Sequence, residues 1–149
     1  MTLQNLLAIR QLQAHSADAA AIGKLLAAAE RNLADAQVEA ISPDSRFDVA
    51  YKCVMQCAML GLWANGYRTS TSQPGHHQTA IQCLTHTMGV PKDDVVVLDA
   101  LRRQRNISDY EGDPVSGPTL IACLDEAAKL LAHTKRWLRE HRPELMGNV

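Results

Sequence analysis

Apolar residues recur at intervals of three and four along almost the whole chain, and this spacing excludes most folds before any other property is considered. Ile22, Leu25, Leu26, Ala29, Leu33, Ala36 and Ala40 fall on one stripe of a long helix. Ser16 is placed to cap its start, and Ser42 with Pro43 ends it, because a proline disfavours α geometry in the residue before it. Ahead of that helix, Leu3, Leu6, Leu7 and Leu12 predict a short one over 3–13. From Asp44 to Trp63 there are two apolar faces, Phe47, Ala50, Tyr51, Val54 and Ala58 on one and Met55, Met59, Leu62 and Trp63 on the other, which marks a central, buried helix. Asn65 and Gly66 suit a left-handed cap, and the polar run to Gly75 reads as a surface loop.

Ala80, Ile81, Leu84 and Met88 predict a short helix, broken at Gly89 to Pro91. The stretch Asp93 to Tyr110 contains Val95 to Val97, which favour strands. It reads as helix nonetheless, since Leu98 and Leu101 continue the stripe and a lone strand would have no partner. Pro118 suits the first position of the last helix, whose inward stripe is Leu120, Leu124, Ala127, Leu131 and Leu138, and Pro143 leaves 143–149 as a flexible tail. The expected fold class is all-α: one domain over 1–149, an antiparallel four- to five-helix up-down bundle with no place for a β-sheet.

The length of 149 residues suits one domain. Fifteen Lys and Arg against sixteen Asp and Glu give no global charge with which to grip nucleic acid, so any such contact must be local. No apolar run approaches membrane-spanning length, and the first twenty residues lack the order of a signal peptide. The expectation is a cytoplasmic chain with no membrane partner. Cys53, Cys57, Cys83 and Cys123 lie inside helix-like segments and read as reduced core thiols. His76, His77 and His86 with Cys83 lack the paired spacing of a zinc site, so neither a metal nor a cofactor is expected, and these histidines read as loop and helix-face residues. Tyr67-Arg68 and His76-His77 bracket one polar loop and read as solvated.

Chemistry concentrates in Leu101-Arg102-Arg103-Gln104-Arg105-Asn106-Ile107-Ser108-Asp109-Tyr110. Arg105 follows Leu98 by seven positions and Leu101 by four, so it falls on or beside the core-facing stripe. A guanidinium there needs an anionic partner: a carboxylate, a phosphate or a group on a second subunit. Arg102 and Asp109 flank it at spacings of three and four. One reading is an Arg105–Asp109 pair a turn apart, with Arg102 and Arg103 as a solvated basic end. The other is a ligand-binding cleft of Arg102, Arg105 and Asp109.

The order of an alanine-rich helix, then SRFDVAYKCVMQCAMLGLWANGYR, GHHQTAIQCL and RRQRNISDYEG before a last amphipathic helix resembles the HEPN superfamily over about Ala17 to Arg142. Its most specific part is Arg105-Asn106 with Asp109-Tyr110. The resemblance implies a four- to five-helix bundle, often a homodimer, with the arginine at the subunit seam. Catalytic members cleave RNA without a metal, using an arginine followed four to six residues later by a histidine, and some are toxins paired with a minimal nucleotidyltransferase. By that pattern the catalytic candidates are Arg105, Asn106 and Tyr110. The histidine position, however, holds Tyr110 counted from Arg105 or Ser108 counted from Arg103, and a free tyrosine ionises only near pH ~10. The first expectation is therefore a homodimeric binding module, the Arg102, Arg105 and Tyr110 sets of both copies lining one cleft for RNA, a nucleotide or a protein partner. The alternative is a metal-independent endoribonuclease of toxin–antitoxin type.

Overall fold

A computed structural model describes residues 2–147, and most of them are helical. Helix α1, Leu3–Ala8, starts where the Thr2 hydroxyl accepts from the Asn5 amide at 3.1 Å. It does not run to residue 13. Arg10 takes a left-handed φ of 63°, the chain turns, and Leu12–Ala14 continues as strand β1. Its partner is β2, Tyr67–Thr69, paired antiparallel with Leu12 opposite Thr69 and Ala14 opposite Tyr67. The expectations of a helix over 3–13 and of no sheet are thus both corrected. A strand that looks partnerless along the sequence finds one in the loop that follows the central helix. Leu12 is buried beneath the ribbon, while the Gln13 side chain accepts from Arg68 Nε at 3.1 Å.

Helix α2, Ala19–Ala36, is capped by Asp18, whose carboxylate accepts from the Ala21 amide at 2.8 Å. Ser16 is not its cap, and the helix ends four residues short of Ala40. Helix α3, Pro43–Ala64, begins under the cap of Ser42 and forms the centre of the molecule. Ala50, Cys53, Cys57 and Gly61 give it a line of small, buried residues at spacings of three and four. Small side chains let neighbouring helices approach closely, and α7, Gly117–His141, comes near enough for the Cys123 thiol to meet the Phe47 carbonyl at 3.9 Å. The expected left-handed turn after α3 falls on Gly66, with φ 89°. Asn65 ties this end down by donating to Gly61 O at 2.7 Å and Thr87 O at 3.3 Å.

Helices α4, His76–Gln82, and α5, Leu84–Met88, lead to the break at Gly89–Pro91. Helix α6, Lys92–Glu111, absorbs Val95 to Val97 as helix. The loop after it is held by the Val115 amide donating to Asp44 Oδ1 at 2.7 Å. In α7, capped by Ser116, Gly117 takes the first position and Pro118 the second; Leu120, Ala127, Leu131 and Leu138 are buried, but Leu124 only half so. The chain past α7 is not a loose tail through 146. Pro143–Met146 forms a 3-10 turn against α2 and α7, Leu145 is buried, and Arg142 donates to the Ala64 carbonyl. Residues 148–149 of that expected tail lie outside the described residues. All four cysteines are free and buried. No helix among the described residues is long and apolar enough to cross a membrane.

Candidate functional site

Leu98 and Leu101 anchor α6 in the core, and Arg105 continues their stripe toward α3. Its guanidinium carbon sits 5.6 Å above the centre of the Tyr51 ring, and Nε lies 2.9 Å from Asp109 Oδ2 and 4.0 Å from Asp48 Oδ1. These distances bring charges together without directing the N–H at either oxygen: Nε is shielded from water and has no hydrogen-bond acceptor. A buried donor without a directed partner costs about 1–3 kcal/mol, which the Asp109 carboxylate 2.9 Å away offsets by charge but not by a well-aligned hydrogen bond among the described residues.

Arg105 lines a cleft of about 380 Å³. One wall comes from α3, with Asp48, Tyr51, Lys52, Met55, Gln56 and Met59; Leu25 of α2 and His77 of α4 complete it. The Tyr51 hydroxyl lies 3.3 Å from His77 Nδ1. Burial pushes the Tyr51 phenol up to about 12, against the opposing pull of Arg105 and Arg102. His77 is shifted the other way, below 6.5, by burial first and then by the positive fields of His76, Arg105 and Arg102. At neutral pH the phenol is therefore protonated and the imidazole neutral. We assign the shared hydrogen bond as Tyr51 O–H donating to Nδ1, which leaves Nε2–H as the free donor of His77. Gln56 Oε1 accepts from Asn32 at 2.8 Å, holding the Gln56 amide in place along the wall.

The structure brings together only some of the residues singled out along α6. Arg105 and Asp109 meet. Arg102 instead donates to the buried Asp99 at 2.8 Å, which Arg103 also approaches at 3.0 Å. Its charge still reaches Tyr51 and His77 as a field, but its donors are directed elsewhere. Asn106 is half-buried. Tyr110 is 85% exposed, and five residues of helix carry it about 140° around the axis from Arg105, away from the cleft. The groups that do join Arg105, namely Tyr51, Lys52 and His77, come from other helices. Tyr51 reads in sequence as core and His77 as a loop residue, and no local spacing links either to position 105.

Among the described residues no group of three or more His, Cys, Asp or Glu side chains is placed to hold a metal ion. No protein-family model matches the sequence, and neither a curated protein nor a solved structure is detectably similar to it.

Proposed function

We propose that the chain is a helical-bundle binding module whose Arg105 cleft takes the phosphate of a nucleotide, either free or at the end of an RNA. The observation that carries this reading is the partly exposed Arg105 guanidinium at the wall of a cleft with room for a ligand, held by charge to Asp109 and without a well-aligned Nε hydrogen bond among the described residues. A guanidinium offers phosphate two parallel, charge-assisted donors and stays charged at any working pH. Lys52, which forms no ion pair with another described residue, adds a second cation at the rim, and His77 Nε2–H adds a neutral donor. Leu25, Met55 and Met59 supply the apolar surface that a base or ribose needs, and about 380 Å³ falls in the ~300–1,000 Å³ range of small-molecule sites.

The ion pairs around Arg105 fit a resting state of such a site. Asp109, one turn on, holds the guanidinium over Tyr51 when the cleft is empty, and a phosphate completes the hydrogen bonding that Asp109 leaves undone. A titration with adenosine monophosphate, a 5′-phosphorylated RNA oligonucleotide and its 5′-hydroxyl counterpart tests the reading. Binding of both phosphorylated ligands, with loss for the 5′-hydroxyl RNA, supports it. Equal binding of the two RNAs speaks against a terminal phosphate.

A metal-independent ribonuclease, of the toxin type partnered by a minimal nucleotidyltransferase, is a second reading, and His77 is the observation that favours it. Cleavage without a metal needs a base for the 2′-hydroxyl proton, an acid for the leaving 5′-oxygen and a cation for the phosphoryl oxygens. In the other neutral tautomer, with Nδ1–H donating to the Tyr51 oxygen, His77 Nε2 is free to take the 2′-hydroxyl proton, Arg105 is the cation and water protonates the leaving oxygen, so no contribution from Tyr110 is required. Single-turnover RNA cleavage by wild type, abolished in His77→Ala while phosphate still binds through Arg105 with its affinity reduced by the loss of one neutral donor, distinguishes this reading from binding alone.

A further inference from the structure

Helix α6 leaves one face uncovered. Val96 is 68% exposed, Ile107 40% and Tyr110 85%, and Ala100 and Arg103 are exposed between them. The intervals along 96, 100, 103, 107 and 110 alternate four and three, which is the seam of a two-stranded coiled coil and confines these residues to a strip about 80° wide. None of the described residues covers this strip, whereas the opposite side of α6 carries Leu98 and Leu101 into the core.

The strip is self-complementary when two copies run antiparallel about a two-fold axis midway between positions 101 and 102. Val96 then faces Ile107 of the second copy, and Ala100 faces Arg103, a small residue against a long one. At the ends, Lys92 meets Glu111 and Asp93 meets the Tyr110 hydroxyl. All these residues are exposed, and neither Lys92 nor Glu111 has an ion-pair partner among the described residues. A parallel pairing would instead set Lys92 against Lys92 and Glu111 against Glu111, so the charges at the ends of the strip select the antiparallel arrangement.

We propose that the exposed strip of α6 is a homodimer interface, formed by antiparallel pairing with α6 of a second copy. The inference is independent of the phosphate reading, and it changes the dimer expected from the sequence. Arg105 lies nine residues from Val96, about 180° around the helix, so pairing through the strip turns the two Arg105 clefts outward as separate sites instead of merging them. A helix of this length is about 30 Å long, and pairing along it buries area at the low end of specific interfaces, around 1,000 Å². The dimer is accordingly weak, with a Kd in the micromolar range.

Sedimentation equilibrium of the full chain from about 1 to 500 µM tests this. The expected result is a monomer–dimer equilibrium that Val96→Glu and Ile107→Glu each convert to monomer, with the helical circular dichroism and melting midpoint unchanged because both positions face solvent in the monomer. Lys92→Glu and Glu111→Lys should each raise Kd about three- to tenfold, and the double exchange should restore it to within about twofold of wild type. A wild type that stays monomeric over the whole range overturns the proposal. So does a dimer indifferent to Val96→Glu, which must use another face. A double exchange no tighter than either single change overturns the antiparallel register.

Discussion

Alanine at Gly61 should destabilise the protein, although alanine is the better helix former. A Cβ built at Gly61 would sit 2.8 Å from Thr87 Oγ1 and 3.1 and 3.2 Å from Met88 Cε and Cγ. Replacing an interior helical glycine by alanine gains about 1 kcal/mol of propensity. Against this, the methyl group intrudes where α5 lies on α3. The methionine can yield, but threonine is stiff at χ1, and Thr87 is buried and held by its own hydroxyl contact to Leu84 O and by Asn65 on its carbonyl. Overpacking of this kind costs about 1–3 kcal/mol, so the net effect is a loss of about 1 kcal/mol, or roughly 3 °C in melting temperature. Gly23 is the internal control: it too is helical, yet a Cβ there meets nothing within 4 Å, and Gly23→Ala should gain about 0.5–1 kcal/mol. Chemical denaturation of both variants reads the difference. In a Thr87→Ala background the penalty of Gly61→Ala should largely disappear. If Gly61→Ala stabilises as much as Gly23→Ala, the close contact of α3 with α5 is wrong.

Other consequences follow from particular side chains. Val54 is fully buried on α3, and Val54→Ala should cost about 2–3 kcal/mol, whereas the half-buried Leu124 should lose a smaller fraction of its own side-chain contribution in Leu124→Ala; paired thermal melts compare them. His77 has its folded-state pKa below 6.5, so its contribution to stability is complete above that value and is lost as the pH falls through it toward the folded pKa. An NMR titration of the His77 ring should show the lowered midpoint, and saturating phosphate should raise it. A midpoint at or above 6.5 without ligand would place His77 outside the Tyr51 pocket. Arg102→Ala should cost about 1–3 kcal/mol by depriving buried Asp99 of its nearest donor, and Arg103 should recover part of this; a melt with no change would remove Asp99 from the set of buried acceptors.

The helices were legible because their ends carry strong signals. Ser42-Pro43, Asn65-Gly66 and Gly89 to Pro91 each mark a boundary by local geometry, and Leu98 with Leu101 outweighs the strand preference of Val95 to Val97. The ribbon was not legible. Each strand is three residues long, and Leu12 has no reason to extend until Thr69, far along the chain, comes beside it. The left-handed turn at Arg10 is likewise unmarked, since arginine has no special preference for it. Pro143 correctly signals the end of α7, but only tertiary packing shows that Leu145 returns to the core.

The site divides in the same way. Helical period puts Arg105 on the inner stripe, and the same arithmetic separates Tyr110 from it, because five residues are nearly a turn and a half. Tyr51 and His77 could not be paired in advance: one belongs to the buried helix, the other follows a polar loop, and only the packing of α4 against α3 brings them within 3.3 Å. Asp99 is a different case. Arg102 is one turn beyond it, a local ion-pair spacing, so the diversion of Arg102 from the cleft was available in the sequence.

Isothermal titration of inorganic phosphate and adenosine monophosphate into wild type and Arg105→Ala, at low and high salt, tests the Arg105 cleft most directly. Wild type should bind both, the nucleotide more tightly because Leu25, Met55 and Met59 receive the rest of it, and both affinities should weaken as salt rises. Loss of a charge-assisted pair of donors is worth about 2–3 kcal/mol, so Arg105→Ala should weaken binding about 30- to 160-fold while its circular dichroism stays that of wild type. Wild-type affinity in the variant, or no heat from either ligand with wild type, would contradict the account.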